Sequence, residues 1–407
     1  RGRSLVRLDA HGRPARRVTA DPFDAVQDFL AEHDCKLEPG AGAAGPPVPR
    51  VIGYLGYDLG RVLLPRPLPS GVARGRDTPD LWLGAYDAVV RWQRGAPEVI
   101  GAEPARARLE ALLARPPRPS LPPSFGPLAA DDDGDHHMAR IGRIRDYLAA
   151  GDVYQVNLAR RLVARIAAPG DPLAVYAALA EVAPAPYGAL LECDGVTVIS
   201  GSPERFLGAA GDRIETRPIK GTRPRTAGGA AELAASDKDA AEHLMIVDLE
   251  RNDLGRIAET GSVTVDDLGY LVELPALYHK VSRISARPRP GVGYADLLRA
   301  TFPGGSITGA PKLRAIEIID ELEPARRGPY CGALGYFGAG GALELAIAIR
   351  IGVIAGAELR VHVGGGIVAD SDPAAELAET EDKAAGWIAA LERLARAAQT
   401  PPRPPPR

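Results

Sequence analysis

Apolar positions along the chain change their period several times, and each change marks an element. Met138, Ile141, Ile144 and Leu148 recur at the spacing of one helix face, and Gly151 follows as a stop. The stretch LWLGAYDAVVRWQ (81–93) alternates apolar and polar residues and ends in β-formers, which predicts a strand. YGALLEC (187–193), VTVISGS (196–202) and DRIETRPI (212–219) predict further strands. Asp237 to Leu249 predicts a helix, LELAIAIRIGVIAG (343–356) and ELRVHVGGGIV (358–368) predict the two strands of a hairpin, and Ala374 to Ala398 predicts a last helix. Strands arrive in antiparallel-looking batches with helices between them, and no internal repeat is present. The expected fold class is therefore α+β, a large β-sandwich with flanking helices, rather than a doubly wound sheet.

Between these elements Pro, Gly and acidic residues concentrate at 38–50 and at 114–135, which predicts loops or linkers. The end, QTPPRPPPR (399–407), predicts a disordered tail. The expected organisation is an N-terminal part of the sandwich (1–113) that is a candidate place for an effector pocket, a Pro/Asp-rich linker (114–135), and a dense region (136–398) that carries the candidate chemistry.

Composition narrows the function classes. With 407 residues, 45% hydrophobic and 25% charged, the chain can bury a large core. A net charge of −3 and a pI near 6.2 give no basic surplus for nucleic acid or an anionic membrane. No run approaches the roughly 20 apolar residues of a bilayer span, and no signal-peptide pattern is visible. Cys35, Cys193 and Cys331 are far apart and form no CxxC pair, so neither a disulfide frame nor a zinc site is expected, and a cytoplasmic location fits.

The candidate chemistry lies in the dense region. Asp239 and Glu242 are three apart on one predicted helix, as are Glu376 and Glu379 on another, so each pair shares a helix face. Two such pairs meeting across a cleft would supply oxygen ligands of the kind Mg²⁺ takes; acid pairs at this spacing are usually solvated surface. Gly364, Gly365 and Gly366 follow a predicted strand, and Gly221 and Thr222 follow another in PIKGT (218–222). Backbone N–H groups in such turns can hold an anionic oxygen, although each alone is more often just a turn. FPGGSITGAPK (302–312) is a Gly-rich loop opening a helix at Pro311, and it lacks the Walker spacing. Lys220 beside Ile219, if desolvated, would become a nucleophile or base; otherwise it is a surface cation. Glu204, in SPERF, reads as an acid/base or as a helix-start residue. Arg350, at the end of an apolar strand, calls for a carboxylate, with Tyr330 as a neighbour. His279 reads as catalytic or as a hydrogen-bonded structural histidine.

Several longer motifs occur in order: SPERF, PIKGTRPR, AEHLMIVDLERNDLGR, FPGGSITGAPKLRAIEIIDELEP, RRGPYCGALGYF, LAIAIR and GGGIVADSDPAAELAETEDKA. Together they resemble the chorismate-binding enzymes, which include the anthranilate, aminodeoxychorismate, isochorismate and salicylate synthases. The resemblance covers about residues 135–397, and more weakly 51–92. It implies two facing β-sheets with the active site between them. By this resemblance Glu242 and Glu379 match direct Mg²⁺ ligands, and Glu376 matches an acid acting through water. Asp239 stands where relatives often carry Glu. Gly221, Thr222 and Gly364–Gly366 match the groups that hold the ring carboxylate, and Arg350 and Tyr330 those that hold the enolpyruvyl carboxylate. Glu204 matches the acid/base near the leaving hydroxyl, and His279 matches the family histidine.

Lys220 directs the resemblance further. The PIKGT wording, with GYLGYDLGR and GDVYQVNLARR, is similar to the aminodeoxychorismate branch, whereas anthranilate synthases read PIAGT. The implied activity is amination of chorismate at C4 to 4-amino-4-deoxychorismate, a p-aminobenzoate precursor, with Mg²⁺ as cofactor. The implied source of ammonia is a separate glutamine amidotransferase subunit, since no such segment is visible in the chain. The alternatives are an anthranilate, aminodeoxyisochorismate or isochorismate synthase, or a non-catalytic chorismate-binding subunit.

Overall fold

In the computed structural model the described residues are 4–9, 13–37, 48–65, 78–93, 95–116, 121–210, 212–274 and 277–399. The fold is α+β. One sheet has eight strands. Its main path runs Tyr187–Cys193, Val196–Ser202, Ile351–Ala355, Glu358–Ile367, Gln155–Ala168 and Gly309–Ala310, each antiparallel to the next. The other sheet has nine strands and runs Ile219–Pro224, Leu277–Ala286, Arg213–Arg217, Arg205–Ala210, Leu343–Ile347, Ala333–Gly338, Pro49–Leu55 and Leu81–Ala85, with Thr264–Glu273 also paired to Leu277–Ala286.

The two sheets share a core. Val156, Leu158 and Val198 from the first sheet cluster with Leu207, Ile214, Leu345 and Phe337 from the second. The other face of the first sheet is covered by the helices Pro172–Val182 and Pro373–Gln399, where Ile199 and Leu359 meet Leu179 and Trp387. Val198 and its neighbour Ile199 thus point to opposite faces, the period-two rule of a strand buried on both sides. On the second sheet, helix Asp237–Gly255 packs over the strands Ile219–Pro224 and Leu277–Ala286. The Ser236 hydroxyl caps it by accepting the Asp239 N–H at 3.2 Å, and the helix runs past the predicted Leu249 to Gly255.

Several expectations are corrected. The run 81–93 is two strands: Leu81–Ala85 joins the large sheet, while Ala88–Gln93 pairs with Ala96–Gly101 as a separate ribbon. The run 343–356 is not one strand of a hairpin either. Leu343–Ile347 belongs to one sheet and Ile351–Ala355 to the other. The chain crosses between sheets at Ala348–Arg350, where the Ile349 N–H bonds Ile347 C=O at 2.8 Å and Arg350 has φ +50°. Both halves are buried, so the apolar pattern continues through the crossing and hides it. The hairpin that does form joins Ile351–Ala355 to Glu358–Ile367. Gly364–Gly366 lie inside this last strand rather than after it, and Gly221 and Thr222 lie inside the strand Ile219–Pro224.

Within the Pro/Asp-rich stretch 114–135, Ser124–Phe125 and Ala129–Ala130 pair with Gln155–Ala168. Residues 38–47 and 400–407 lie outside the described residues, and Pro49–Arg50 already belong to a strand. No helix among the described residues is long and apolar enough to cross a membrane.

Candidate active site

The cleft is built on the glycine strip Gly364–Gly366. A side chain at Gly364 would strike the neighbouring backbone, since its Cβ would lie 2.5 Å from Leu158 O. A Cβ at Gly365 would lie 2.9 Å from Glu376 Oε2 and 3.8 Å from Glu379 Oε1. A Cβ at Gly366 would lie 3.3 Å from Lys220 Nζ and 3.1 Å from Gln155 Nε2. Successive strand residues face opposite sides, so Glu376 and Glu379 approach from one side and Lys220 from the other. Only bare backbone separates them.

Lys220 reaches this strip because its strand is irregular. Ile219 pairs with Val281 and Thr222 with His279, and the register shifts between them at Lys220–Gly221. Such a bulge re-aims a side chain out of the regular alternation. Gly221 sits in the left-handed region at φ +88°, and a Cβ there would lie 2.7 Å from Leu233 Cδ1. The Lys220 side chain is only 16% exposed, with Nζ 4.0 Å from Glu242 Oε2. Burial pushes its pKa down, aided by the Lys383 charge and opposed by Glu242, Glu204 and Glu379.

Glu204 lies at the turn after Val196–Ser202 and is 5% exposed. Ser306 Oγ–H donates to its Oε1 at 2.9 Å, and the Ile219 N–H donates at 3.4 Å. Burial lifts its pKa to about 7 against the pull of Ser306, Ile219, Lys220 and Arg350. A carboxyl whose pKa is lifted to about 7, near an amine whose basicity is lowered by burial, is an acid/nucleophile arrangement.

Arg350 is half-buried, and no carboxylate among the described residues pairs with it; burial works against its charge and only Glu204 offsets this. Its left-handed backbone is unusual outside glycine and often marks a functional position. Tyr330 is buried and its ring stacks on His362, centroids 5.3 Å apart and planes at 16°. His279 Nδ1 lies 2.9 Å from Thr222 Oγ1, and its buried Nε2 has no partner among the described residues. Burial and the Arg350 charge push His279 down to about 4, so it is a neutral imidazole.

Glu376 Oε1 accepts from Ser371 Oγ–H at 2.6 Å. Glu379 Oε1 lies 2.6 Å from Lys383 Nζ, which also donates to Gly364 O at 2.7 Å. Asp239 lies against Gly221, and its Oδ2 accepts from Arg223 at 2.9 Å. Among the described residues no group of three or more acidic, His or Cys side chains stands close enough to hold a metal ion. The donor chemistry nevertheless suits Mg²⁺, which is commonly bound by one or two carboxylates completed by water and substrate oxygens.

The profile of the family described as chorismate binding enzyme matches residues 6–389. This chain belongs to the chorismate-binding enzyme family. It is 42% identical over 381 residues to aminodeoxychorismate synthase component 1 of Klebsiella aerogenes, covering 91% of this chain and 83% of that protein. It is 38% identical over 394 residues to an anthranilate synthase component 1 of Haloarcula marismortui, covering 89% and 78%. The crystal structure of anthranilate synthase component I from Streptococcus pneumoniae matches with a TM-score of 0.79 at 28% identity, covering 95% of this chain and 90% of that one.

For a chorismate-binding enzyme the cleft offers the right complement. The ligand is a ring dianion; Arg350 supplies a guanidinium, and the glycine strip, bare of side chains, lets backbone approach closely. The fold brings Lys220, Glu204, Gly221, Thr222, His279, Arg350 and the glycines together, along with three neighbours that the sequence did not single out. Ser306 was read only as part of a Gly-rich loop. Lys383 carried no signal apart from its i+4 spacing from Glu379. Gln155 is wholly buried and neither polar atom of its amide has a partner among the described residues, although it borders Gly366 and the Lys220 side. A polar residue at the start of a largely apolar strand was the available clue.

Proposed function

We propose that the chain aminates chorismate at C4, giving 4-amino-4-deoxychorismate. The observation that carries this reading is Lys220: a primary amine depressed in basicity, turned by a bulge against the glycine strip, with the protonated Glu204 nearby. Lys220 attacks C2 of the ring, the ring double bonds shift, and the 4-hydroxyl leaves as water with the Glu204 proton. Ammonia then adds at C4 and the Lys220 amine departs from C2. Arg350 and Tyr330 hold the enolpyruvyl carboxylate, while Gly364–Gly366, Gly221 and Thr222 orient the ring carboxylate. The neutral His279, fixed through Thr222, offers its unpaired Nε2 to the ligand.

Glu242 and Glu379 would hold a Mg²⁺ ion, with Glu376 acting through water. Asp239, engaged by Arg223, would contribute only indirectly. Bound there, the ion neutralises and fixes the ring carboxylate. Ammonia would come from a separate glutamine amidotransferase subunit. Burial raises Cys35 to about 11 and Cys193 and Cys331 to about 12, so no thiol of this chain is poised as a glutaminase nucleophile. Three buried free cysteines also suit a cytoplasmic location.

The test is incubation with chorismate, Mg²⁺ and ammonium, followed by product identification by mass and fluorescence. A 4-amino product supports the reading; anthranilate or isochorismate contradicts it. Turnover with glutamine as sole nitrogen source by the pure chain contradicts the separate-subunit assignment.

A further inference from the structure

Away from the groups assigned above, one buried ion pair sits where three parts of the cleft meet. Arg327 and Glu323 are 2% and 4% exposed. Taking two charges out of water is costly, and an apolar pair of similar volume is often as stable. The backbone around the pair supplies a reason for it.

Strand Gly309–Ala310 pairs with Val156 and Gln155 and then ends. The Asn157 N–H still finds Thr308 O at 2.8 Å. Between that point and Ala130, which pairs with Leu162, the edge at Asn157–Ala159 is completed by side chains. Arg327 Nη2 donates to Asn157 O at 2.8 Å, and Glu323 Oε1 accepts the Ala159 N–H at 2.8 Å. Arg327 Nη1 donates to Ile307 O at 2.9 Å. The two side chains are tied to each other, Nη2 to Oε1 at 2.7 Å and Nε to Oε2 at 2.9 Å. A guanidinium and a carboxylate thus take the place of a strand that is missing.

Each contact leads to a different part of the cleft. Asn157 and Ala159 pair on their other side with Gly366 and Gly364. Ile307 follows Ser306, whose hydroxyl donates to Glu204. The Arg327 guanidinium lies 4.4 Å from the Tyr57 ring centre and 5.9 Å from that of Tyr330. We propose that Arg327 and Glu323 are positioning residues, a buried surrogate strand edge that registers the Ser306–Glu204 acid against the glycine strip and Tyr330. The inference rests on the cleft being the chorismate site. It requires a planar fork that donates in several directions at once, which a lysine ammonium on a flexible stem does not reproduce.

Arg327→Lys and the double variant Arg327→Met/Glu323→Met test this, compared per mole of folded protein. In both, kcat for chorismate consumption should fall about 100-fold, the scale of a 1 Å misplacement, while KM changes less than about threefold because Arg350 is untouched. Amide hydrogen exchange should rise at least about tenfold in peptides covering 155–168 and 302–310, with Pro172–Val182 unchanged. If Arg327→Lys does not fold, the double variant, which leaves no buried charge unpaired, carries the test. Wild-type kcat in a folded variant, or unchanged exchange in both peptides, overturns the proposal. If the wild-type chain fails to consume chorismate, the functional reading falls, and the exchange measurement still judges the pair.

Discussion

Replacing Ser306 by alanine removes one oxygen from the buried loop and leaves Glu204 with a single weak donor, the Ile219 N–H at 3.4 Å. Burial is the main force on this carboxyl, holding its pKa near 7, and the Ser306 hydroxyl at 2.9 Å pulls the other way. A hydrogen bond to a charged group contributes roughly 1.5–3 kcal/mol, but a hydroxyl also bonds the neutral acid, so the difference between the two forms lies near the lower end. At about 1.4 kcal/mol per pH unit, the pKa should rise by about one unit. The sign follows from which form Ser306 favours: it supports the ionised carboxylate, so its loss preserves the proton to higher pH. The alkaline limb of kcat/KM, where the acid is lost, should move from near 7 in the wild type to about 8 in Ser306→Ala. The assay is the initial rate of chorismate loss across the pH range in which the protein stays folded, with free ammonia held constant. A limb that stays put, or moves to lower pH, refutes the assignment of Glu204 as the acid.

Other variants probe other parts of the cleft. Arg350→Gln removes a cation that no described carboxylate neutralises, and KM for chorismate should rise about 10- to 100-fold in steady-state kinetics, as for a lost charge-assisted bond of roughly 1.5–3 kcal/mol. Glu242→Gln and Glu379→Gln should each raise the Mg²⁺ concentration for half-maximal activity at least about tenfold; titration calorimetry with unchanged Mg²⁺ binding in both would remove them as ligands. Gly352→Ala places a Cβ 2.5 Å from Cη2 of the buried Trp387 ring, and should cost about 1–3 kcal/mol of stability in chemical denaturation.

Much of the fold was legible because burial is periodic. The helix over Met138–Leu148 and the strands 187–193 and 196–202 follow directly from spacing. Two of the corrected expectations share one cause. At 81–93 and at 343–356 the chain changes its pairing partner while remaining apolar or alternating, and periodicity reports burial but not which sheet does the burying. The cleft was legible where residue type is chemically unusual, as at Lys220 and Arg350. It was not legible where function lies in an ordinary residue placed by tertiary structure. Ser306 matters because the loop brings it to Glu204, 102 residues away in sequence, and Asp239 turns to Arg223 because its strand lies alongside. Helix spacing puts Asp239 and Glu242 on one face, but it does not say which partner each will meet.

The central claim is that the Lys220 amine directs nitrogen to C4, and its most direct measurement is the product formed from chorismate and isotopically labelled ammonium by wild type and Lys220→Ala side by side. Label is expected at C4 from the wild-type chain, and no 4-amino product from a folded Lys220→Ala. Formation of the 4-amino product by Lys220→Ala at the wild-type rate would contradict it.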